Sequence, residues 1–328
     1  MNGHYIVEQP GGPEALKWVE TNPQELAPQQ VRISHTAVGL NYIDVYHRSG
    51  VYPLPLPSRL GVEAAGIVIE TGAGVTRVAV GDRVGYALSM GAYGTTNIVP
   101  ENTLVKLPKS ISDETAAACL LKGLTASYLL RKTFAVAEGD TILVHAAAGG
   151  VGLILCQWAK HLGARVIATV GSAAKAELAQ ANGAEHTILY DKEDVVKKVQ
   201  ELTNHQGVPV VYDSVGAATY HRSLDCLAPL GMFVSYGNAS GKVESVDPQD
   251  LASRGSLFFT RPSLAAYANP VSALDDLAES LFNVVATGAV DVHIKQRYAL
   301  SDLPQAHTDL EARVTTGSTV LLPETASG

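Results

Sequence analysis

The stretch HAAAGGVGLILCQWAKHLGARVIATVGSAAK, residues 145–175, decides how the rest of the chain is read. An apolar run, Thr141–His145, leads into the turn Ala147-x-Gly149-x-x-Gly152. After it Val151, Ile154, Leu155, Trp158 and Leu162 recur at helical spacing, with Gly163 placed to cap the helix. Strand, glycine turn and helix, in that order, make a nucleotide-binding βα unit, here with alanine in place of the first glycine of G-x-G-x-x-G. Gly149, Gly150, Val151 and Gly152 let backbone N–H groups approach a pyrophosphate at the helix N-terminus, where the peptide dipoles favour an anion. The second strand, Arg165–Val170, ends without the Asp or Glu that bonds a ribose 2′-hydroxyl. Gly171 leaves room there, Ser172 offers a hydrogen bond, and Lys175 adds a positive charge one turn later. The turn therefore suits the 2′-phosphate of NADP(H), and Tyr190, closing the third strand, is placed to flank the adenosine.

Outward from this unit the alternation continues. Strands are expected at Thr141–His145, Arg165–Val170, His186–Tyr190, Val208–Asp213, Met232–Tyr236 and Leu257–Thr260, with helices between the first five. That pattern is an α/β doubly wound parallel sheet of the Rossmann kind. Upstream, residues 1–123 read as mainly β: VRISHTAVGL, EAAGIVIETG and DRVGYAL are short apolar or alternating runs punctuated by glycine turns. Tyr52–Pro57, with three prolines, is a loop. A helix is expected from about Ser112 to Leu130, started by Ser110 or Ser112 ahead of Asp113-Glu114. After Pro262 come a helix near 271–287 and strands near 293–298 and 318–322. A tail of 60-odd residues is small for a domain, so it is expected to return and complete the first one. The expected division is 1–123 completed by 263–328, with 124–262 as the nucleotide-binding domain.

The composition narrows the function classes. With 328 residues, 46% hydrophobic and 17% charged, the chain can bury two sizeable cores. Its formal net charge of -8 argues against a general nucleic-acid binder. Three scattered cysteines without a CxxC pair read as reduced, buried thiols in a cytoplasmic protein. The start, MNGHYIVEQPGG, lacks the basic and apolar regions of a signal peptide. Thr141–Ala159 approaches the length of a membrane span, but His145, Gln157 and three glycines interrupt it, and a buried strand followed by a buried helix explains it better.

Several stretches carry a resemblance across essentially the whole chain: GLNYIDVYHRSGVYP (39–53), GVEAAGIV (61–68), KGLTASYLLRKT (122–133), HAAAGGVG (145–152), YDSVG (212–216) and TRPSL (260–264). Together they resemble the NADPH:quinone oxidoreductases, zeta-crystallin-like members of the medium-chain dehydrogenase/reductase superfamily. The resemblance implies a GroES-like catalytic domain around an inserted Rossmann domain. Zinc alcohol dehydrogenases of the same superfamily typically carry a Gly-His-Glu motif whose histidine binds zinc. This chain has Gly61-Val62-Glu63, no cysteine cluster and no paired histidine spacing, so no metal is expected, and Glu63 alone reads as structural.

By resemblance, Asn41, Tyr46 and Tyr52 lie in a cleft between the domains, beside the nicotinamide and the quinone. Thr125, Tyr128, Ser214, Asn238, Ser240, Arg261 and Arg313 would add cofactor contacts. The implied reaction passes reducing equivalents from NADPH to a quinone. Tyr52 or water supplies the proton, and the residues do not decide between them. Reduction of an enone C=C bond is the enzymatic alternative; a crystallin-like or RNA-binding role is the non-enzymatic one. The apolar sixth strand, expected at a sheet edge, invites pairing with a second copy as a homodimer.

Overall fold

The computed structural model describes residues 2–22 and 24–324. Eight strands come first: β1 (Gly3–Val7), β2 (Lys17–Glu20), β3 (Gln30–Leu40), β4 (Ser58–Arg59), β5 (Ala64–Thr71), β6 (Arg83–Tyr86), β7 (Thr96–Pro100) and β8 (Val105–Lys106). Helices α1 (Tyr42–Ser49) and α2 (Asp113–Tyr128) lie among and after them. The long strand β3 is central. It pairs antiparallel with β5 and β7, while β2-β1-β4 form a small sheet of their own. Alternate residues Val31 and Ile33 of β3 are fully buried, and they join Val68, Val84, Val99 and Leu104 in one core.

The parallel sheet follows. Its strands are β9 (Thr141–Val144), β10 (Arg165–Val170), β11 (His186–Leu189), β12 (Val208–Asp213), β13 (Leu227–Ser235) and β14 (Phe258–Thr260), in the spatial order β11-β10-β9-β12-β13-β14. Helices α3 (Gly150–His161), α4 (Ala173–Ala181), α5 (Val195–Leu202), α6 (Tyr220–Asp225) and α7 (Pro248–Ser253) connect them. Strands covered on both faces read as unbroken apolar runs, which is why they were legible. The tail adds α8 (Leu264–Tyr267), α9 (Val271–Ala286), β15 (Ile294–Ala299), α10 (Leu303–Glu311) and β16 (Ser318–Leu322). Strand β16 pairs antiparallel with β3, Thr319 opposite Leu40, and so braces the strand that leads into Asn41. The chain divides into two compact units: Met1–Leu124 with Ala268–Ala286 and Val292–Gly328, and Thr125–Tyr267 with Thr287–Asp291.

Four local expectations need correction. Strand β13 starts at Leu227, well before Met232, because it continues through Pro229-Leu230-Gly231, with Leu230 at φ +62°; these residues read as a turn. Helices α1, α7, α8 and α10 are absent from the expected elements. The 112–130 helix starts as expected, with the Ser112 hydroxyl accepting the Thr115 N–H at 3.1 Å, and differs at its end. It ends in a π-helical turn, Leu129–Thr133, where the Tyr212 hydroxyl donates to the Leu129 carbonyl at 3.1 Å. Helix α3 is buried on more than one face: Leu153, Cys156 and Ala159 are buried with Ile154, Leu155 and Trp158, while Val151 and Leu162 are half-buried.

Candidate active site

In the nucleotide-binding unit the glycine turn is built around Ala146, at φ +51°, not around the alanine that replaces the first motif glycine. Ala147 N–H donates to the Thr169 carbonyl at 3.2 Å and Gly149 N–H to Ala146 at 3.0 Å. Gly149 is the N-cap of α3 and supplies no side-chain cap. The glycines differ in role. A Cβ on Gly152 would sit 2.5 Å from the Ala146 carbonyl oxygen, so this glycine lets helix and turn approach. A Cβ on Gly149 would meet only that oxygen, at 3.3 Å, which leaves its other side open to a pyrophosphate.

At the end of β10, a Cβ on Gly171 would lie 2.5 Å from the Tyr190 hydroxyl. Gly171 thus makes room for Tyr190 itself, and an acid at 171 would displace that ring. Ser172 caps α4 by accepting the Lys175 N–H at 3.3 Å, a bond that does not use its own hydroxyl proton. A polar thread beneath these turns escaped the sequence reading. The Thr169 hydroxyl bonds His145 Nδ1 (2.8 Å), His145 Nε2 bonds Ser223 Oγ (3.0 Å), and Ser223 donates to Asp213 Oδ2 (2.8 Å). Asp213 Oδ1 accepts the N–H groups of Val215 (2.7 Å) and Gly216 (3.0 Å). The thread ties together the ends of β9, β10 and β12. Burial holds His145 below the usual histidine range, hence neutral.

Other expected cofactor residues lie in the same unit. Tyr128, buried, stacks on Tyr267 with ring centroids 4.5 Å apart and planes 11° from parallel, and Thr125 bonds its hydroxyl. Ser214 hydrogen-bonds Tyr236. Arg261 Nη1 donates to the carbonyl of Ser235 at 3.1 Å. Asn238 is half-buried in the loop after β13. Ser240 uses its hydroxyl within the fold, donating to Val215 and accepting the Ala218 N–H. Arg313 belongs to the other unit, exposed in the turn after α10 with φ +59°.

The catalytic-domain candidates gather on α1. Asn41 is its N-cap, and Asp44 returns the cap by accepting the Asn41 N–H at 3.0 Å. Tyr46 is nearly buried, its ring 5.3 Å from Tyr42 in an edge-on arrangement and 5.0 Å from Tyr52, to which it is tilted. Tyr52 is half-buried. The Asn41 side chain is fixed: Nδ2 donates to Glu63 Oε2 at 2.7 Å. That same oxygen lies 3.2 Å from Lys122 Nζ, and Oε1 accepts the Leu121 N–H at 2.7 Å. Glu63 is fully buried and Lys122 nearly so. Glu63 therefore does not stand alone, and Lys122 and Asp44 are residues the sequence reading passed over. A signal was available, since each is a charge inside an apolar run and a buried charge needs a partner.

A second buried chain backs Asp44. Arg48 bonds His307, His307 bonds Tyr93 (both 3.3 Å), and the Tyr93 hydroxyl donates to Asp44 Oδ2 at 2.6 Å. Arg48 also pairs with Glu311 at 2.5 Å. Burial, opposed by the Tyr93 and Asn41 hydrogen bonds, raises the Asp44 carboxyl to about 7. Among the described residues no three His, Cys, Asp or Glu side chains gather where they could hold a metal ion, and Cys119, Cys156 and Cys226 are buried free thiols. No helix among them is long and apolar enough to cross a membrane.

Residues 27–109 match the alcohol dehydrogenase GroES-like domain and residues 150–269 the zinc-binding dehydrogenase domain. A quinone oxidoreductase of Pseudomonas aeruginosa is 52% identical over 315 residues, covering 95% of this chain and 97% of its own. A 2-haloacrylate reductase of Burkholderia sp. is 43% identical over 328 residues, covering 97% and 98%. The crystal structure of Escherichia coli quinone oxidoreductase complexed with NADPH superimposes with a TM-score of 0.96 at 47% identity, over 98% of this chain and 100% of that one.

Proposed function

The chain belongs to the quinone oxidoreductase family of the medium-chain dehydrogenases and reductases, and on that premise we propose a zinc-independent NADPH:quinone oxidoreductase. Gly149–Gly152 would hold the pyrophosphate; Gly171, Ser172, Lys175 and Tyr190 the adenosine and its 2′-phosphate. The nicotinamide supplies hydride when bound. Asn41, with its amide set by Glu63, would meet the ribose or carboxamide of the cofactor, and the Tyr46 and Tyr52 rings would position a flat acceptor.

The observation that carries the zinc-independent reading is the state of Glu63. Zinc needs about three or four N, S or O ligands held together. The carboxylate beside Asn41 already accepts from three donors, one of them an ammonium that would repel a cation. An alcohol must lose its hydroxyl proton to become a good hydride donor, a step that a bound metal assists, whereas a quinone carbonyl already accepts electrons. Expected, then, is turnover of 1,4-benzoquinone and naphthoquinones with NADPH, unaffected by chelators, and none of ethanol with NADP. The reverse pattern would overturn the assignment. The 2-haloacrylate reductase relative favours a second reading, reduction of an activated C=C bond, and enones in the same substrate panel test it.

Lys175→Ala should weaken NADPH about 10- to 150-fold, the worth of one charge-assisted contact, and leave NADH nearly unchanged. Equal losses for the two cofactors, measured by fluorescence titration, would show that Lys175 does not read the phosphate.

With a net charge of -8, no nucleic-acid partner is proposed, and three buried free thiols suit the reducing cytoplasm. Strand β14 is a sheet edge with Phe258 55% exposed, near Leu230 at 66% on the adjoining strand, although Leu257 turns into the core. A homodimer pairing along β14 would cover both side chains. Light scattering at micromolar concentration should give twice the 34.5 kDa chain mass, and a monomer would refute the pairing.

A further inference from the structure

Among the buried polar groups, Lys122 is the least satisfied charge. Only 7% of the residue is exposed, yet Glu63 Oε2, at 3.2 Å, is the one hydrogen-bond acceptor its Nζ reaches among the described residues. An ammonium carries three donors, so two remain in a nearly dry environment, where they are strong. The carboxylate that anchors Lys122 also anchors Asn41 Nδ2, at 2.7 Å on the same oxygen. Charge and amide are therefore held side by side on the unit that carries Tyr46 and Tyr52. A structural ion pair alone would be poorly built this way, because burying an ammonium with one partner costs more than the pair returns unless further acceptors arrive.

We propose that Lys122 is a catalytic residue that donates a hydrogen bond to the quinone oxygen on which negative charge accumulates during reduction. The proposal rests on the quinone reading above. In that reaction hydride, an electron pair with one hydrogen, leaves the nicotinamide and forms an O–H bond at one quinone oxygen. The ring becomes aromatic and the other oxygen becomes a phenolate, which takes a proton from water to give the hydroquinone. Lys122 keeps its own protons. Its two remaining donors face the phenolate, a charge that the neutral quinone lacks, so the contact strengthens as the reaction proceeds and lowers the barrier.

Testing this means separating Lys122 from the stability of its ion pair. The Lys122→Met/Glu63→Gln double variant removes both charges and leaves no uncompensated carboxylate. The probe is 4-nitrophenol, whose absorption band reports its ionisation and needs no cofactor. Wild type should bind 4-nitrophenolate more tightly than 4-nitrophenol, so the bound probe ionises at lower pH than the free one. The double variant should lose anion affinity on the order of 10- to 100-fold and bind the neutral phenol unchanged. Its kcat should fall in parallel, more for electron-rich quinones, which form the more basic phenolates. A folded double variant with unchanged anion binding would overturn the proposal. Lys122-dependent anion binding in a wild-type protein that reduces no quinone would instead overturn the quinone reading and leave the anion site standing.

Discussion

Lys122→Met should destabilise the protein by about 3–5 kcal/mol, the usual consequence of leaving one member of a buried ion pair without its partner. Glu63 has no exposed side-chain surface, and its pair with Lys122 is 3.2 Å long. Removing the ammonium leaves a fully buried carboxylate with two neutral donors, Asn41 Nδ2 and the Leu121 N–H. The side chain cannot swing out, because Gly39 packs against it so closely that a Cβ there would lie 2.2 Å from Glu63 Oε2. At roughly 2–4 °C per kcal/mol for a unit of this size, the melting temperature should drop by about 6–20 °C. Adding Glu63→Gln should restore more than half of the loss, since an amide keeps an acceptor for one donor and carries no charge. Calorimetry of the wild type, both single variants and the double variant closes the cycle. A single-variant loss below about 1 kcal/mol would mean that water reaches Glu63.

The two halves of this molecule differed in how much their residues disclosed. The Rossmann sheet could be read because each strand, covered on both faces, is an apolar run bounded by glycine or a polar turn, and because the phosphate turn is local. Gly149, Gly152, Gly171 and Lys175 span 27 residues, and their reasons for being there concern neighbours in sequence. The catalytic unit could not be read to the same depth. Helix α1 hides in YIDVYHRS, where the charges of Asp44 and Arg48 mask a buried face: the two are 0% and 1% exposed. Their partners come from far along the chain: Tyr93 for Asp44, and His307 and Glu311 for Arg48. Glu63 and Lys122 are 59 residues apart. Periodicity assigns a face, but it does not say which distant charge arrives to satisfy a buried one. The informative clue was the charge in an apolar context, and GVEAAGIV and LLKGL both carry it.

That concentration of buried polar groups sets the response of the fold to acid. Burial lowers His35 to about 4 and His307 to about 3, with the Arg48 guanidinium acting in the same direction on His307. His4, lowered to about 4, and His47 and His145 move the same way, again mainly through burial. For each, the unfolded chain takes up a proton near pH 6.5 and the folded chain does not, so stability falls as pH drops from 6.5 toward the folded value. The slope is about 1.4 kcal/mol per pH unit for each fully buried ring. Asp44 opposes them. Its carboxyl is raised to about 7, so the fold binds that proton more tightly than the unfolded chain, and acidification from pH 7 toward 4 returns stability. One carboxyl offsets about one imidazole, and several imidazoles remain. The net loss should be about 3–7 kcal/mol between pH 6.5 and 4.5, a large part of the roughly 5–15 kcal/mol that holds a domain folded. Calorimetric melting temperatures across that window should fall steeply, and Asp44→Asn, which deletes the opposing titration, should make the fall steeper. A melting temperature that stays level from pH 6.5 to 4.5 would mean that these histidines gain protons within the folded protein, and that the Arg48–His307–Tyr93–Asp44 chain opens to water.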